Sequence, residues 1–217
     1  MEDPEQMKDI RMAGNLLLGI YRDNDAEQKL SGMEASFPRE KKSPGQYSFC
    51  AVNVDGQDIF KTTGGIDESK EDIRCLRLLY KPINSYNILL STKWYVKTRD
   101  MDERKRTLNI FPILRTSEMR FIIAETLARN NEFDKAYEIL NEMRRNRGLR
   151  NGDLTTQTSL EGFLKDLVRE GQREWISEGQ LFYLYKRLNF NVKREDGTLV
   201  PFKKEECVVP LPIEELK

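Results

Sequence analysis

Apolar residues along this chain follow two patterns that divide near residue 110. Up to residue 109 they come in short runs between turn formers: Asp23-Asn24-Asp25, Ser31-Gly32, Ser43-Pro44-Gly45, Asp55-Gly56 and Thr63-Gly64-Gly65. The runs Leu16 to Tyr21, Tyr47 to Val54 and Trp94 to Thr98 have the length of strands, and Ser69 to Tyr80, with Ile73, Leu76 and Tyr80 facing one way, predicts a short helix. From 110 to 189 the spacing becomes helical. Pro112 is placed at a helix start, where its missing N–H costs nothing. The stretch Leu114 to Arg129 carries Leu114, Phe121, Ile122, Ala124, Leu127 and Ala128. Asn130-Asn131-Glu132 interrupts it, with Asn131 as the cap of the next helix.

That second helix sets Phe133, Ala136, Tyr137, Leu140 and Met143 on one stripe. Its end carries Arg144, Arg145 and Arg147 before Gly148. Basic side chains offset the negative end of the helix dipole, and glycine takes the left-handed stop. The basic cluster is therefore read as a helix end, not as a nucleic-acid contact. A third helix is expected after the capping box Thr158-x-x-Glu161. Leu160, Phe163, Leu164, Leu167, Val168, Trp175 and Ile176 keep one of its faces apolar. Gly179 offers a kink, and Leu181 to Leu188 predicts a shorter helix. In the tail, Asp196-Gly197 marks a turn, and Pro210 and Pro212 keep Val208 to Pro212 extended.

The pattern A-x-x-L…F-x-x-A-x-x-x-L across the first two helices is that of a tetratricopeptide-like hairpin, in which small residues let two helices approach closely. One such hairpin cannot bury its own faces and needs neighbours. The expected fold is mainly α: a tetratricopeptide-like helical hairpin stack (an α-α superhelix) at 110–217, with a loop-rich flank containing short strands at 1–109.

Composition removes several chemistries. The chain has 217 residues, 38% hydrophobic and 33% charged, long enough to bury a core. Lys+Arg and Asp+Glu both number 36, and this zero net charge argues against a binder that neutralises phosphates. The absence of histidine removes His-based triads, His general bases and His-ligated metals. Cys50, Cys75 and Cys207 are dispersed and form no CxxC pair. No apolar run approaches the ~20 residues of a membrane-spanning helix. Met1-Glu2-Asp3-Pro4-Glu5 lacks the basic and apolar regions of a signal peptide, so the leader of an exported protein is expected to be missing here.

Five collinear pieces of the second half carry a resemblance. Pro112-x-x-Arg115-x-x-Glu118 is followed by Ala124-Glu125-Thr126-Leu127. Then come Leu140-Asn141-Glu142-Met143-Arg144 with Arg147-Gly148, and Arg169-Glu170-x-x-Arg173-Glu174-Trp175-x-x-Glu178-Gly179. The last is Val209-Pro210-Leu211-Pro212-Ile213-Glu214-Glu215-Leu216. In order and spacing this set resembles the C-terminal region of the SusD/RagB family of surface nutrient-binding lipoproteins. Leu17 to Tyr21 and Asp72-x-Arg74 are similar to upstream features of that family. One departure is local: Leu181 and Leu184 stand where the family usually has Arg and Asp. Three apart on a helix, those two could pair, so apolar packing is expected in place of an ion pair.

The resemblance implies a non-catalytic protein that binds oligosaccharide or polysaccharide at the outer-membrane surface. It would be anchored by lipid and would hand its ligand to a TonB-dependent transporter of the SusC type, without cofactor, metal or nucleic acid. Sugar C–H faces stack on aromatic rings beside amide hydrogen-bonding groups. By that chemistry the candidate ligand contacts are Tyr47, Asn84, Tyr86, Asn87 and Trp94. Trp94 as a packed strand residue is the competing expectation, and Trp175 belongs to the core. A soluble tetratricopeptide-like adaptor is the alternative function. Glycoside hydrolysis comes third and requires two carboxylates across a cleft, ~5–9.5 Å apart. Glu118 and Glu125 share one helix face and are read as structural, with Arg115 and Arg129 at hand. Glu170, Glu174 and Glu178, beside Arg169 and Arg173, are read as a helix held by ion pairs.

Overall fold

The computed structural model describes residues 15–21, 51–52, 59–62, 65–80, 89–91, 110–150, 152–193 and 197–201. The elements in chain order are β1 (Leu16–Tyr21), β2 (Ala51–Val52), α1 (Ile73–Leu78), β3 (Leu79–Tyr80), β4 (Leu89–Ser91), β5 (Ile110–Arg115), α2 (Thr116–Arg129), α3 (Phe133–Asn146), α4 (Leu160–Glu174), α5 (Gln180–Leu188), β6 (Val192–Lys193) and β7 (Leu199–Val200). The described residues are mainly helical, as the spacing predicts. Strands occur as two antiparallel pairs, β1–β5 and β6–β7, and a small antiparallel sheet of order β2-β4-β3.

α2 and α3 form the expected hairpin. Arg120 near the start of α2 pairs with Glu142 near the end of α3 at 2.8 Å, which fixes them as antiparallel. Ala124, Ala128 and Ala136 are fully buried between them, where a larger side chain would push the helix axes apart. α4 closes the core. Phe121 meets Trp175 with ring centroids 4.5 Å apart, and Tyr137 meets Phe163 edge-on at 5.3 Å. The Tyr137 hydroxyl donates to Asp166 at 2.7 Å, which satisfies the polar end of a buried ring. Leu140, Leu167, Val168 and Leu184 complete this cluster. Leu184 is buried and Leu181 packs against the same cluster, so the two leucines are joined by apolar packing as the departure from the family pattern suggests.

Several boundaries differ from expectation, each for a local reason. Pro112 does not open a helix. It lies inside β5, opposite Gly19 of β1 and beside a register shift between Leu18 and Gly19. A two-stranded ribbon has free edges, where a proline without an N–H breaks no ladder bond. α4 is capped by Ser159, whose Oγ accepts from the Gly162 N–H at 3.1 Å, one residue after the expected Thr158. Asn131 takes a positive φ of 62° as the turn between α2 and α3, and Glu132 holds the cap position. Gly179 does not kink a continuous helix: at φ 82° it separates α4 and its following turn from α5. α1 is shorter than its pattern because Asp72 caps it, accepting from the Arg74 N–H at 2.9 Å. Leu76 is exposed, so the predicted stripe does not face the core. Ile122, grouped by spacing with the buried residues of α2, is exposed too.

Gly148 ends α3 as predicted, at φ 95°. It also permits a close crossing. A Cβ there would lie 2.7 Å from the Glu71 carbonyl oxygen, while Ile73 N–H donates to Arg147 O at 3.0 Å. The α3 terminus and the segment before α1 thus meet backbone to backbone. Gly148→Ala combines a left-handed strain with this clash, so we expect a loss of about 2 kcal/mol or more in urea melts. Gly65→Ala, at φ 83° with open space around it, should lose only the smaller conformational part.

Candidate functional site

The acidic positions Glu170 and Glu174 of α4, and Glu178 just after it, recur every four residues and therefore share one side. That side is turned inward. Glu170, Arg173 and Glu174 are buried, and the Glu178 side chain is nearly so. No isolated carboxylate could stay ionised there; each needs a cation supplied in the same low-dielectric space. The cations come from three other elements, α1, β5 and α3. Arg74 of α1 reaches Glu170 at 3.0 Å and Glu174 at 3.4 Å. Arg115, the last residue of β5, reaches Glu174 at 3.1 Å and Glu178 at 3.0 Å. Arg147 at the end of α3 donates to Glu174 from Nε at 3.0 Å and from Nη2 at 2.8 Å. Arg144 pairs with both Glu68 and Glu170.

The segments 59–62 and 65–80 are held by the same groups. Asp72 accepts from Arg74 through both carboxylate oxygens, at 2.9 and 2.7 Å. Arg173 pairs with Glu68 at 2.6 Å, donates to the backbone carbonyls of Ile59 and Lys61, and lies 5.6 Å over the Phe60 ring. Arg169 adds a bond to Lys61 O. Arg74, Arg115, Arg144, Arg147 and Arg173 thus face Glu68, Asp72, Glu170, Glu174 and Glu178, equal numbers of opposite charge. Most pairs join different elements, in contrast to the ion pairs within one helix that the spacing suggests. Arg173–Glu170 and Arg74–Asp72 are the local exceptions.

The electrostatics follow. Burial alone would raise the Glu170 carboxyl, but Arg74, Arg173 and Arg144 outweigh it and hold it down at about 2. Glu174 is likewise well below the usual carboxylate range, held by Arg147, Arg115 and Arg74 against its burial. Burial opposes the charge of Arg74, yet Asp72, Glu170 and Glu174 hold its guanidinium above its ordinary range. Groups so firmly ionised neither give nor take protons at neutral pH, so the cluster is built to hold structure.

The expected acid pair behaves differently from a catalytic one. Glu118 and Glu125 lie on the same helix, separated by about 10.5 Å along its axis, and do not face each other across a cleft. Glu125 is bound by Arg129 at 2.9 Å and by Arg187 of α5 at 2.6 Å. Arg115, expected near this pair, serves Glu174 and Glu178 instead. Burial pushes the Glu118 carboxyl up, with Arg115 and Arg187 opposing. The Cys75 thiol is pushed up to about 11 by burial and by Asp72 and Asp67, so it stays protonated at neutral pH. Among the described residues no group of His, Cys, Asp and Glu is disposed to hold a metal ion, and no helix is long and apolar enough to cross a membrane.

Tyr47, Asn84, Tyr86, Asn87 and Trp94 lie outside the described residues. Trp175 is in the core, as its stripe predicts. One aromatic surface escaped the sequence reading. Phe182 and Tyr183 stand on the outer side of α5 as an edge-on pair with centroids 5.5 Å apart, and Tyr183 is 67% exposed. The helical period could have revealed it. Leu181, Leu184, Tyr185 and Leu188 share the inner side, which leaves 182 and 183 outside.

The SusD family model matches residues 80–204. The chain belongs to the SusD family. Its fold is similar to that of a SusD superfamily protein from Bacteroides thetaiotaomicron VPI-5482, with a TM-score of 0.65 and 17% identity over 97% of this chain and 49% of that one. A SusD-like carbohydrate binding protein from Bacteroides vulgatus ATCC 8482 matches with a TM-score of 0.61 and 19% identity, over 89% of this chain and 39% of that one. The chain therefore spans half or less of the length of these solved relatives. No curated protein matches it. Within this SusD-family chain the buried network occupies α4, the element whose Arg169 to Gly179 motif carried the resemblance.

Removing one partner from a buried ion pair leaves the other uncompensated. Glu174→Ala, which removes a buried carboxylate shared by Arg74, Arg115 and Arg147, should cost about 3–5 kcal/mol in denaturant titration. The acid response follows from Glu170 and Glu174. Their folded pKa values lie below the unfolded ones, so the unfolded state binds more protons as pH falls. Their contribution is complete above the ordinary carboxylate pKa and is lost as pH drops from there towards about 2. Melting temperature should fall steeply over that window, and less steeply in Glu170→Gln.

Proposed function

We propose that this chain is the ligand-capturing part of a non-catalytic glycan-binding protein at the bacterial cell surface. Membership of the SusD family is the observation that carries this reading. It is supported by the shared fold of a relative described as carbohydrate binding. In this proposal the full protein sits on the outer membrane by a lipid anchor and passes oligosaccharide or polysaccharide to a TonB-dependent transporter of the SusC type. The work is binding without bond cleavage. A sugar ring offers an apolar C–H face and a rim of hydroxyls, which an aromatic ring and neighbouring amides match together. Tyr47, Tyr86 and Trp94 supply the stacking faces, and Asn84 and Asn87 the hydrogen bonds. Tyr183 with Phe182 is a second stacking surface, held on a helix and thus fixed before ligand arrives. The reading of binding without chemistry is supported by Glu170 and Glu174, which the arginines hold ionised and neither of which is poised as an acid at neutral pH.

Affinity electrophoresis of the purified chain against a panel of soluble polysaccharides, followed by calorimetry, tests this. We expect a binder on the panel, with affinity reduced about tenfold or more by Trp94→Ala or Tyr86→Ala. No new reducing ends should appear on prolonged incubation. A folded chain that binds nothing on the panel would set the glycan reading aside for these residues. Binding that survives both substitutions and fails in Tyr183→Ala would move the platform to α5.

A further inference from the structure

The segments before α1 are tied to each other by their own backbone. Glu68 N–H donates to Phe60 O at 2.8 Å, Thr62 N–H donates to Ile66 O at 2.8 Å, and Lys61 forms an antiparallel bridge with Asp67. Asp72 N–H then bonds Glu68 O at 3.0 Å, and the Asp72 side chain caps α1. Residues 59–62 and 65–78 are therefore one hydrogen-bonded unit, of the kind that opens together. Its junction with the helices rests on side chains. Arg144, Arg169 and Arg173 reach into it at Glu68 and at the carbonyls of Ile59 and Lys61. Its own Arg74 reaches out to Glu170 and Glu174. A backbone bond from Ile73 N–H to Arg147 O and the small cluster of Phe60, Leu79 and Ile176 accompany these ties. α4 meets the helical stack with other residues, Phe163, Leu167 and Val168. The stack can thus stay closed while the junction opens.

We propose that residues 59–62 and 65–80 are a clasp that lifts off α4 as one unit in acid, while the stack of α2, α3, α4 and α5 stays folded. The titrating groups are Glu170 and Glu174. Glu170 is faced by Arg74 of α1, Arg144 of α3 and Arg173 of its own helix. Glu68 and Asp72 are the carboxylates that share these arginines. Glu174 is faced by Arg74, by Arg115 of β5 and by Arg147 at the end of α3, with Glu178 sharing Arg115. A proton on either carboxyl removes the counter-charge from arginines that are close together and buried. Lifting the unit lets Arg74 out to water and opens the space around the others, without breaking the apolar stack. Both carboxyls are held low while the unit is docked and return towards their ordinary range when water and distance weaken their arginines. The open form therefore binds more protons. Docking is complete above the ordinary carboxylate range and weakens as pH falls below it.

Cys75 of α1, partly buried against the small apolar cluster, can report the opening. In the 217-residue chain carrying Cys50→Ser and Cys207→Ser, its labelling by a dipyridyl disulfide is followed from neutral pH into acid. That reagent reacts with thiols across this range and releases an absorbing thiopyridone. Each rate is divided by that of a small free thiol at the same pH. We expect the relative rate to rise about tenfold or more between about pH 7 and about pH 3, while helical circular dichroism holds. Glu170→Gln, neutral at every pH, should raise the rate already at neutral pH and flatten its pH dependence. A Cys75 that becomes reactive only where helical circular dichroism is lost would overturn the proposal, since unit and stack then open together. A thiol that stays protected to the acid end would overturn it too. So would a Glu170→Gln chain that loses its helical signal at neutral pH as it gains reactivity.

Discussion

A carboxylate at the centre of a protein is tolerated only while cations stand against it, and Glu174 is fully buried with three arginines around it. The rest of the architecture is arranged to meet that condition. α1 enters at an angle that delivers Arg74. β5 ends where Arg115 can turn inward, and α3 ends where Arg147 can reach. Each of these elements is short or terminates at the cluster, so displacing any of them removes a cation from Glu174. Such networks add little net stability over apolar packing of the same volume, but they reject misaligned arrangements strongly. Here the network stitches residues 59–62 and 65–80 to the helices by charge, while the helices hold each other by alanine-spaced apolar contact.

The two kinds of contact divide the labour. The apolar cluster of Phe121, Tyr137, Leu140, Phe163, Leu167 and Trp175 makes the helical stack. The smaller cluster of Phe60, Leu79 and Ile176 lies on the flank side of α4. Arg173 joins the two regimes in one side chain: its guanidinium covers the Phe60 ring, pairs with the Glu68 carboxylate and donates to the carbonyls of Ile59 and Lys61. A binding protein needs its irregular segments fixed to something rigid, because loops ordered only on binding lose affinity to conformational entropy. This cluster supplies that fixture for residues 59–62 and 65–80.

α2 carries apolar residues on two of its faces. Its core face obeys the same rule as α3 and α4. Its outer face carries a stripe that a helix ending at solvent would fill with charge. The helix is therefore designed for a layered setting, in keeping with hairpin-stack folds in which each unit borrows a surface from the next.

Local spacing was enough to place α3, α4 and α5, to bury Tyr137, Phe163 and Trp175, and to end α3 at Gly148, because these depend on residues within a few turns of one another. It also marked Glu170, Glu174 and Glu178 as sharing one face. What that face meets was beyond it. Arg74 lies 100 positions before Glu174 and Arg144 lies 26 before Glu170, and no period links them. The same limit explains Pro112. Its chemistry suits a helix start and an edge strand equally, and only pairing with β1 decides between them. Ile122 shows a related limit: an apolar residue on the second face of a helix looks the same in the sequence as one on the core face. Charge burial, strand pairing and the orientation of α2 are properties of contacts between distant segments, so the tertiary structure alone settled them.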